Sequence, residues 1–309
     1  MRISILGVGS IGTVVAASLA STNAEVHLHV RGERGAARML EGLRLQGENS
    51  MRVEPNRFMF SCEEMPVEDR LTHASDIVLL ASKSYDVANL ATKAKTFLKP
   101  DGLVMALSNG LGHVETLCRL YGPERVVAII TTHGAYSQED GSVVWAGQGE
   151  IGMASPPLGP QPARMEGLMA LFEEANLNPK LHENASELVW EKVLLNLAIN
   201  PIAALAGLKN GELLASELFN ASMMVYREAV LVATMRGLSL SDEFTFENRL
   251  RTVLEKTGEN TCSMLQDVKA GRITEIGSLN QAIVEMAESS GIAVPVNQML
   301  TALVRACHP

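Results

Sequence analysis

Residues 3–12 (ISILGVGSIG), near the amino end, constrain the fold more than any other segment. A short apolar run leads into glycines at positions 7, 9 and 12, followed by a helical pattern (TVVAASLAS) and a second apolar run, EVHLHV (25–30). In such a unit one glycine allows a tight turn, one lets the backbone approach a pyrophosphate, and one lets the helix pack closely on the strand. The pattern predicts a dinucleotide-binding βαβ unit with the pyrophosphate at the helix amino terminus. The residues predicted to bind it are Gly7, Val8, Gly9, Ser10, Ile11 and Gly12.

The residue that ends the second strand indicates which nucleotide is bound. Units that bind NAD usually carry Asp or Glu there to bond the ribose 2′-hydroxyl, whereas this chain carries Arg31. A guanidinium attracts a 2′-phosphate that a carboxylate would repel. The position therefore favours NADP(H), with Arg34 and Arg38 as further candidates and Glu33 as a nearby opposite charge. The competing interpretation of Arg31 is a solvated loop arginine.

Three further apolar runs, at 76–81, 102–107 and 125–130, have the length and composition of strands buried in a parallel sheet. Polar residues follow each run at its carboxyl end, where open α/β sheets bind their ligands. These residues are Lys83, Asn109-Gly110 and the segment 131–135, which contains His133 and Ala135. Asn-Gly is also a common plain turn, and His133 fits a structural role as well as a catalytic one.

The hydrophobic pattern changes after the last of these runs. The segments SVVWAG and EIGMAS, joined around Gln148-Gly149, predict a β-hairpin. From Ser186 onward the apolar period is that of helices, so a domain boundary is expected near 183–186. The sequence thus predicts an α/β fold, with an N-terminal Rossmann-type dinucleotide-binding domain (1–183) followed by an all-helical C-terminal domain (184–309).

One predicted helix of the second domain, in WEKVLLNLAINPIAALAG, carries Lys192, Asn196 and Asn200 four residues apart on one face. Apolar residues fill the intervening positions, so the polar wall of a cleft fits better than a solvated stripe. There an ammonium and two amides can hold and protonate a small carbonyl compound. Pro201 disfavours helical geometry at Asn200 and is expected to bend or end the helix there.

A second polar cluster follows in ENTCSMLQDVKAGRITEIGSLN. Asn260, Ser263 and Asp267 are spaced by three and four residues, which predicts one helix face, and Glu275 follows a basic stretch. A solvated face is the default interpretation for Asp267 and Lys269. Ser263 and Glu275 become functional candidates only if that face reaches the nicotinamide.

Composition and charge exclude several classes of protein. The net charge of −9 over 309 residues argues against nucleic acid or an anionic membrane as a general partner. The apolar start is used as strand, turn and helix, and no other segment predicts a signal peptide or an uncharged membrane span. The four cysteines form no CxxC or zinc-like spacing. We therefore expect a cytoplasmic protein with reduced thiols and no protein-bound metal.

Over nearly its whole length the chain resembles the ketopantoate reductases (2-dehydropantoate 2-reductases). The motifs that carry the resemblance are GVGSIG (7–12), Arg31, ASKSYDV around Lys83, SNGLG (108–112), TTHGA (131–135), WEKxxxNxxINP (190–201), KNGEL (209–213) and SMLQDVKAGRITEI (263–276). Together they are far more specific than a glycine turn alone. The resemblance implies an NADPH-dependent oxidoreductase that reduces 2-dehydropantoate to (R)-pantoate in the route to pantothenate and coenzyme A.

The resemblance also implies roles for individual residues. Lys192 matches the proton donor of the family, and Glu275 matches an acidic residue needed at the active site and near the cofactor. The positions that match substrate-binding residues are Asn109, Lys192, Asn196, Asn200, Asn210, Asn260 and Ser263. The positions that match cofactor-binding residues are the glycine turn 7–12, Arg31, Lys83, Asn109, Ala135 and Glu275. Cys262 departs from the pattern, because a second small hydroxyl residue is expected before Ser263 and a thiol is a weak donor.

Two other functions stay open at this point. An NADP-dependent reductase of another branched 2-keto acid would share the fold and the lysine and differ in pocket shape. A non-catalytic NADPH-binding sensor would have no use for the stripe of Lys192, Asn196 and Asn200. A homodimer, formed through an apolar face of the helical domain, is a further expectation.

Overall fold

The computed structural model of the protein describes residues 1–307, and the chain divides into two compact units. The first unit consists of Met1–Ser108 with Gly112–Leu188. The second consists of Asn109–Leu111 with the chain from Val189 onward. The bounds 1–183 and 184–309 of the predicted domains stay a prediction.

The first unit contains two sheets. Their strands are β1 (Arg2–Leu6), β2 (Glu25–Val30), β3 (Leu43–Gly47), β4 (Met51–Val53), β5 (Phe58–Cys62), β6 (Ser75–Leu80), β7 (Leu98–Ala106), β8 (Val126–Thr131), β9 (Gly134–Ser137), β10 (Val143–Gly147), β11 (Ile151–Ala154) and β12 (Pro179–Leu181). Eight of them form one sheet in the order β12-β11-β8-β7-β6-β1-β2-β5. Neighbours in this sheet are parallel except β11, which runs antiparallel to β8. This order, with β1 inside the sheet, confirms the predicted fold class.

The smaller sheet has the order β4-β3-β10-β9 and corrects the hairpin prediction. Strand β10 pairs antiparallel with β9, whereas β11 pairs antiparallel with β8 in the large sheet. The chain changes sheets at the predicted turn, because the Gly149 N–H donates to His133 Nδ1 (2.9 Å) and the Glu150 N–H donates to Thr132 Oγ1 (2.9 Å). The backbone N–H groups of the predicted hairpin loop thus donate to side chains of Thr132 and His133, which directly follow β8.

Helices cover both faces of the large sheet. In the first unit they are α1 (Ser10–Ala20), α2 (Gly32–Glu41), α3 (Val87–Phe97), α4 (His113–Tyr121) and α5 (Pro162–Glu174). Successive residues of a strand point to opposite faces. Accordingly Leu79 is buried in the same core as α1 and α5, whereas Val78 and Leu80 are buried in a second core with α3 and α4.

From residue 185 onward the described chain is helical. The helices are α6 (Ala185–Ala206), α7 (Ser216–Met235), α8 (Glu243–Lys256), α9 (Ser263–Lys269), α10 (Asn280–Ser290) and α11 (Pro295–Ala306). Short 3-10 turns connect elements of both units at Pro55–Arg57, Asp69–Leu71, Ser84–Asp86, Pro123–Arg125, Asn210–Leu214 and Glu275–Gly277.

Helix α6, which carries the predicted polar stripe, runs through Pro201. Pro201 was expected to bend or end the helix at Asn200. The helix does not end there, since it continues to Ala206 and stops before Gly207, which has φ +70°, and the bend stays a prediction. A proline inside a helix costs about 3 kcal/mol. Apolar side chains on either side of it, those of Leu197, Ala198 and Ala203, are fully buried and offset that cost.

Helix α6 is also long and apolar enough to cross a membrane by length and composition, and it is the one such helix within residues 1–307. In its most apolar window 72% of the residues are buried inside the protein. The core helix of a soluble protein has this same pattern.

Candidate active site

The turn after β1 leaves room for an anion at the start of α1. Gly7 has φ +95°, and a Cβ there would lie 2.6 Å from the Ala81 carbonyl oxygen. A Cβ at Gly12 would lie 2.3 Å from the Gly7 carbonyl oxygen, so turn and helix approach this closely only without side chains. Gly9 instead borders open space: apart from Gly9 itself and its sequence neighbours, no atom of the described chain lies within 4 Å of where its Cβ would be. These three glycines fit the pyrophosphate of a dinucleotide, with the first N–H groups of α1 as donors.

Arg31 lies between β2 and α2 with its side chain 76% exposed. Its guanidinium is 3.4 Å from Asp86 Oδ2, at the far end of the Ser84–Asp86 turn. Arg34 and Glu33 are exposed on the first turn of α2. Arg31 is therefore accessible to a bound nucleotide.

Arg38 has a different position. Its guanidinium donates to the Val8 carbonyl oxygen (3.1 Å) and to the Thr13 hydroxyl (2.9 Å). These bonds brace the glycine turn against α2. Arg38 thus supports the turn rather than adding to the charge around Arg31.

Lys83 and Ala135 lie on other elements of the first unit. Lys83 is half-buried and precedes the Ser84–Asp86 turn, where its carbonyl oxygen accepts from the Asp86 N–H (3.0 Å). Ala135 lies in β9, opposite Trp145 of β10.

His133 is a structural residue. Its Nδ1 accepts from the Gly149 N–H (2.9 Å), so Nε2 carries the proton and donates to the Leu177 carbonyl oxygen (3.1 Å). Its ring also packs edge-on against Trp145 at 5.2 Å. Burial lowers the pKa of His133, which keeps the ring neutral. Of the two interpretations of His133, the geometry favours the structural one.

In the second unit, the stripe of α6 meets two residues from distant parts of the sequence. Glu275 is 5% exposed, and its Oε2 accepts from Asn109 Nδ2 at 3.0 Å. Asn196 Nδ2 in turn donates to Asn109 Oδ1 at 3.4 Å. Burial lowers the pKa of Lys192 to about 8, while the Glu275 carboxylate acts in the opposite direction. Lys192, Asn196, Asn109 and Glu275 thus form one group, the lysine–amide cluster.

Asn109 is positioned by the contacts that its neighbours Gly110 and Leu111 make with Ser278. Gly110 has φ +98°, and a Cβ there would lie 2.5 Å from the Ser278 carbonyl oxygen. That oxygen accepts from the Leu111 N–H (2.9 Å), and the Ser278 hydroxyl donates to the Asn109 carbonyl oxygen (3.4 Å). Asn109-Gly110 is therefore a docked segment and not a plain turn. Sequence reasoning missed Ser278, because no local pattern links residues 169 positions apart.

Cys262 is the N-cap residue of α9. It is 7% exposed, and its Sγ accepts from the Leu265 N–H at 3.4 Å. The same sulfur donates to the Asn200 carbonyl oxygen at 3.6 Å. Ser263, the next residue, is the exposed first residue of α9. The departure at Cys262 thus lies in a buried cap, beside an exposed Ser263.

The prediction of one helix face for Asn260, Ser263 and Asp267 is wrong. Helix α9 begins at Ser263, after the Cys262 cap, so Asn260 lies in the turn before it. Asp267 is 2% exposed, and its Oδ1 accepts from Arg272 Nε at 3.0 Å. The ion pair explains why this carboxylate is buried instead of solvated.

Asn210 and Asn260 meet through the backbone. The Asn210 N–H donates to the Asn260 carbonyl oxygen (3.0 Å), and Asn210 Nδ2 donates to Thr257 Oγ1 (2.9 Å). The Oδ1 atom of Asn210 is buried with no hydrogen-bond partner among the described residues. Beside this contact is a cleft of about 570 Å³, lined by Gly207, Leu208, Lys209, Gly211, Glu212, Gly258, Glu259, Thr261, Leu265 and Lys269. The lysine–amide cluster does not line this cleft.

Glu191, directly before Lys192, is a further fixed charge that sequence reasoning missed. Its Oε1 accepts from the N–H and the hydroxyl of Ser241, both at 2.7 Å. Arg249 forms an ion pair with the Glu191 carboxylate and donates to its carbonyl oxygen at 3.0 Å. The available signal was a charge directly next to Lys192 in a mostly apolar helix, in the triplet WEK.

The first unit has a glycine turn open to a pyrophosphate in a doubly wound sheet, and the second has a lysine of lowered pKa that interacts with a carboxylate linked by hydrogen bonds to two amides. These features define a class: oxidoreductases that exchange a hydride with a nicotinamide nucleotide. Within residues 1–307, no three His, Cys, Asp or Glu side chains are placed to hold a metal ion. The chain belongs to the ketopantoate reductase family. The family model "Ketopantoate reductase PanE/ApbA" matches residues 3–157, and its C-terminal counterpart matches residues 184–308. This confirms the resemblance, and the family is one of NADPH-dependent oxidoreductases.

Similar proteins extend over the full length. The 2-dehydropantoate 2-reductases of Pyrococcus horikoshii and Halobacterium salinarum are 33% and 34% identical to this chain, over 99% of it and 97% and 98% of their own lengths. A PanE/ApbA family ketopantoate reductase from Ralstonia eutropha JMP134 is 28% identical, with a TM-score of 0.86 over 99% of this chain and 98% of that one. D-mandelate dehydrogenase with NADH and anilino(oxo)acetate has a TM-score of 0.89 at 24% identity over 99% of this chain and 98% of that one, a likeness of fold.

Proposed function

We propose that this protein reduces 2-dehydropantoate to (R)-pantoate with NADPH, in the route to pantothenate and coenzyme A. Family membership supports the reaction class. The observation that carries the proposal is the lysine–amide cluster, in which the Lys192 ammonium has a lowered pKa and interacts electrostatically with a carboxylate that is hydrogen-bonded, through Asn109, to Asn196.

In this proposal Lys192 is the general acid. NADPH, when bound, supplies the hydride that adds to the keto carbon. Lys192 donates an Nζ proton to the carbonyl oxygen, which becomes the new hydroxyl, and its positive charge stabilises the oxygen before the proton moves. With a pKa of about 8 the ammonium is still protonated at neutral pH, yet it is a stronger acid than an ordinary lysine. Glu275 keeps it charged against the effect of burial.

The amides and the serine of the second unit are proposed to bind the substrate. A 2-keto acid carboxylate needs donors that do not compete as acids, which amides and hydroxyls supply. The buried Oδ1 atom of Asn210 is an acceptor suited to a substrate hydroxyl. The proposed substrate-binding residues are Asn109, Lys192, Asn196, Asn200, Asn210, Asn260 and Ser263.

The cofactor is proposed to bind at the glycine turn, with its 2′-phosphate at Arg31 and Lys83. The exposed guanidinium of Arg31 can form the charge-assisted contact that distinguishes NADPH from NADH. The proposed cofactor-binding residues are Gly7, Val8, Gly9, Ser10, Ile11, Gly12, Arg31, Lys83, Asn109, Ala135 and Glu275.

The test compares 2-dehydropantoate with 2-oxoisovalerate, which lacks the terminal hydroxymethyl group, and uses NADPH with both. Stranding a buried amide costs about 1–3 kcal/mol, so kcat/KM should be about 5- to 150-fold lower for 2-oxoisovalerate. Asn196→Ala should narrow that gap, whereas Asn248→Ala, at an exposed position of α8, should leave it unchanged. Equal kcat/KM values for the two keto acids would contradict the substrate and favour a reductase of another branched 2-keto acid.

A homodimer and a cytoplasmic location are also proposed. Two adjacent helices of the second unit expose apolar side chains: Met224, Leu231 and Met235 on α7, and Met299 and Leu303 on α11. Covering such residues is a common reason for dimerisation. Light scattering at micromolar protein concentration would measure the mass directly, and a monomer would contradict the dimer.

A further inference from the structure

The carboxyl ends of β1, β2 and β5 lie side by side in the large sheet, and the nucleotide elements lie at two of them. The glycine turn follows β1, and Arg31 follows β2. The third strand, β5, ends at Cys62, and Glu63 and Glu64 come directly after it. Two carboxylates thus follow the strand beside the one that ends at Arg31.

Glu64 turns its carboxylate onto the start of α2. Its Oε1 accepts from the Gly32 N–H at 2.8 Å, and its Oε2 accepts from the Cys62 thiol at 2.7 Å. Gly32 is the first residue of α2, so Glu64 occupies a free donor of a helix amino terminus. The bond from Cys62, followed by the bond from Gly32, lowers the pKa of Glu64, which is therefore an anion at neutral pH.

This donor lies where an NADP-specific unit would bind a 2′-phosphate. In dinucleotide-binding folds the adenosine ribose lies over the end of the second strand, where an arginine receives the 2′-phosphate. In this chain Gly32 follows that arginine directly, and the Arg31 guanidinium is itself paired with Asp86 at 3.4 Å. Both donors suited to the phosphate are thus in contact with carboxylates of the chain.

We propose that Glu64 competes with the cofactor's 2′-phosphate for the amino end of α2 and thereby sets the balance between NADPH and NADH. This inference rests on the proposed NADPH-dependent function. To bind NADPH, Glu64 has to release Gly32 and turn away, because two anions cannot share one N–H. To bind NADH, Glu64 can remain in place and accept a hydrogen bond from the ribose 2′-hydroxyl. Glu64 therefore opposes the effect of Arg31. As a result, the protein prefers NADPH over NADH less strongly than it would with Arg31 alone.

The variant that tests this is Glu64→Gln, which removes the charge and keeps a carbonyl oxygen for Gly32. Its matched control is Glu63→Gln, which removes the same charge one residue away. The Glu63 carboxylate contacts His29 (2.8 Å) and Lys93 (3.1 Å) instead of α2. Calorimetric titration would give the Kd of NADPH, NADH, adenosine 2′-monophosphate and adenosine 5′-monophosphate for each protein.

We expect Glu64→Gln to bind NADPH and adenosine 2′-monophosphate about fivefold more tightly, the scale of removing one unfavourable exposed charge contact. NADH and adenosine 5′-monophosphate should bind equally well or more weakly. The preference for NADPH is expressed as the affinity (1/Kd) for NADPH divided by that for NADH, which is the NADPH/NADH ratio used below. Glu63→Gln should change this ratio much less than Glu64→Gln does, and Arg31→Ala should lower it. Because the effect is electrostatic, the difference between Glu64→Gln and the unmutated protein should shrink as salt rises from about 0.05 to 0.5 M.

The failures of the two proposals can be distinguished. If the unmutated protein binds neither NADPH nor adenosine 2′-monophosphate, the proposed function itself fails. If NADPH binds but Glu64→Gln leaves the NADPH/NADH ratio unchanged, or moves it no more than Glu63→Gln does, Glu64 does not compete with the phosphate. Weaker NADPH binding in Glu64→Gln would also overturn the inference, because it would make Glu64 a support of the site.

Discussion

At the scale of single residues, burial lowers the pKa of Lys192, so its ammonium is a stronger acid than that of an ordinary lysine. The Glu275 carboxylate counters this effect, and Asn109 holds that carboxylate in place. A lysine of this kind has two properties of a general acid, a defined position and a pKa close to neutrality. Both properties can be tested separately.

The position of Lys192 is tested by Lys192→Ala. Losing a positioned general acid usually costs about 100-fold or more, so kcat should fall by at least that factor. The Kd of NADPH should change little. Lys256→Ala, at an exposed position in the last turn of α8, is the matched control and should retain normal kcat. Near-normal kcat in Lys192→Ala would remove this residue from the mechanism.

The pKa of Lys192 is tested by the pH profile. Reduction needs the ammonium, and its pKa is lowered from 10.5 to about 8, so kcat/KM for the keto acid should be level below that pH and fall about tenfold per unit above it. Glu275 raises the pKa of Lys192 against burial, so Glu275→Gln should move the break to lower pH. The measurement is kcat/KM for the keto acid at saturating NADPH from about pH 6 to pH 10. An unmoved break in Glu275→Gln would show that this carboxylate does not act on Lys192.

At the scale of elements, the docked segment 109–111 positions the amide that contacts Glu275. Gly110→Ala would combine a positive φ with a close approach to Ser278, whereas Gly112 has φ +90° with no described atom within 4 Å of its Cβ position. Gly112→Ala should lower the free energy of unfolding by about 1 kcal/mol, the cost of a non-glycine residue in this region.

Gly110→Ala should lose more stability than Gly112→Ala, by about 1–3 kcal/mol, because the Ser278 backbone has to move. It should also lower kcat/KM, since Asn109 moves with the segment. Urea unfolding and steady-state kinetics on both variants would measure this. If the two variants have equal stability and equal kcat/KM, the docking of Gly110 on Ser278 does not position Asn109.

Local patterns predicted the elements whose periodicity is strong, and failed where pairing is decided at a distance. The predicted strands 76–81, 102–107 and 125–130 correspond to Ser75–Leu80, Leu98–Ala106 and Val126–Thr131. The predicted hairpin failed because adjacent apolar runs do not reveal which sheet each strand joins. The more polar run LRLQG of β3 was not predicted as a strand at all.

The same distinction holds in the candidate site. The sequence predicted that Lys192 and Asn196 share one helix face, because residues four apart lie on the same side of a helix. The contacts of Asn109 with Glu275, and of Glu64 with Gly32, join elements far apart in sequence. Only the folded chain brings such residues together, so their partners could not be derived from spacing.

At the scale of the whole molecule, the first unit contains a series of buried side-chain hydrogen bonds that crosses its large sheet. This series, the buried polar chain, links four neighbouring strands and ends at a surface carboxylate. Its hydrogen bonds join Ser75 to Ser4 (2.7 Å), Ser4 to His27 (2.8 Å), His27 to Ser61 (2.9 Å), Ser61 to His29 (2.8 Å) and His29 to Glu63 (2.8 Å). Burial, followed by the charge of His29, lowers the pKa of His27 to about 3. The folded sheet therefore needs a neutral His27.

This requirement predicts a loss of stability in mild acid. In the unfolded chain His27 titrates near 6.5, so below that pH the unfolded state binds a proton that the folded state refuses until about pH 3. Stability should fall as pH drops from about 6.5, with His27 contributing about 1.4 kcal/mol per pH unit. The measurement is the free energy of unfolding in urea from about pH 7.5 to pH 4.5.

His27→Gln, which keeps a donor and an acceptor without a titrating ring, should lower stability at pH 7.5 but flatten its decline in acid. His182→Gln, at an exposed histidine, should leave the decline unchanged. An equally steep decline in His27→Gln would show that His27 is not what makes the fold sensitive to acid.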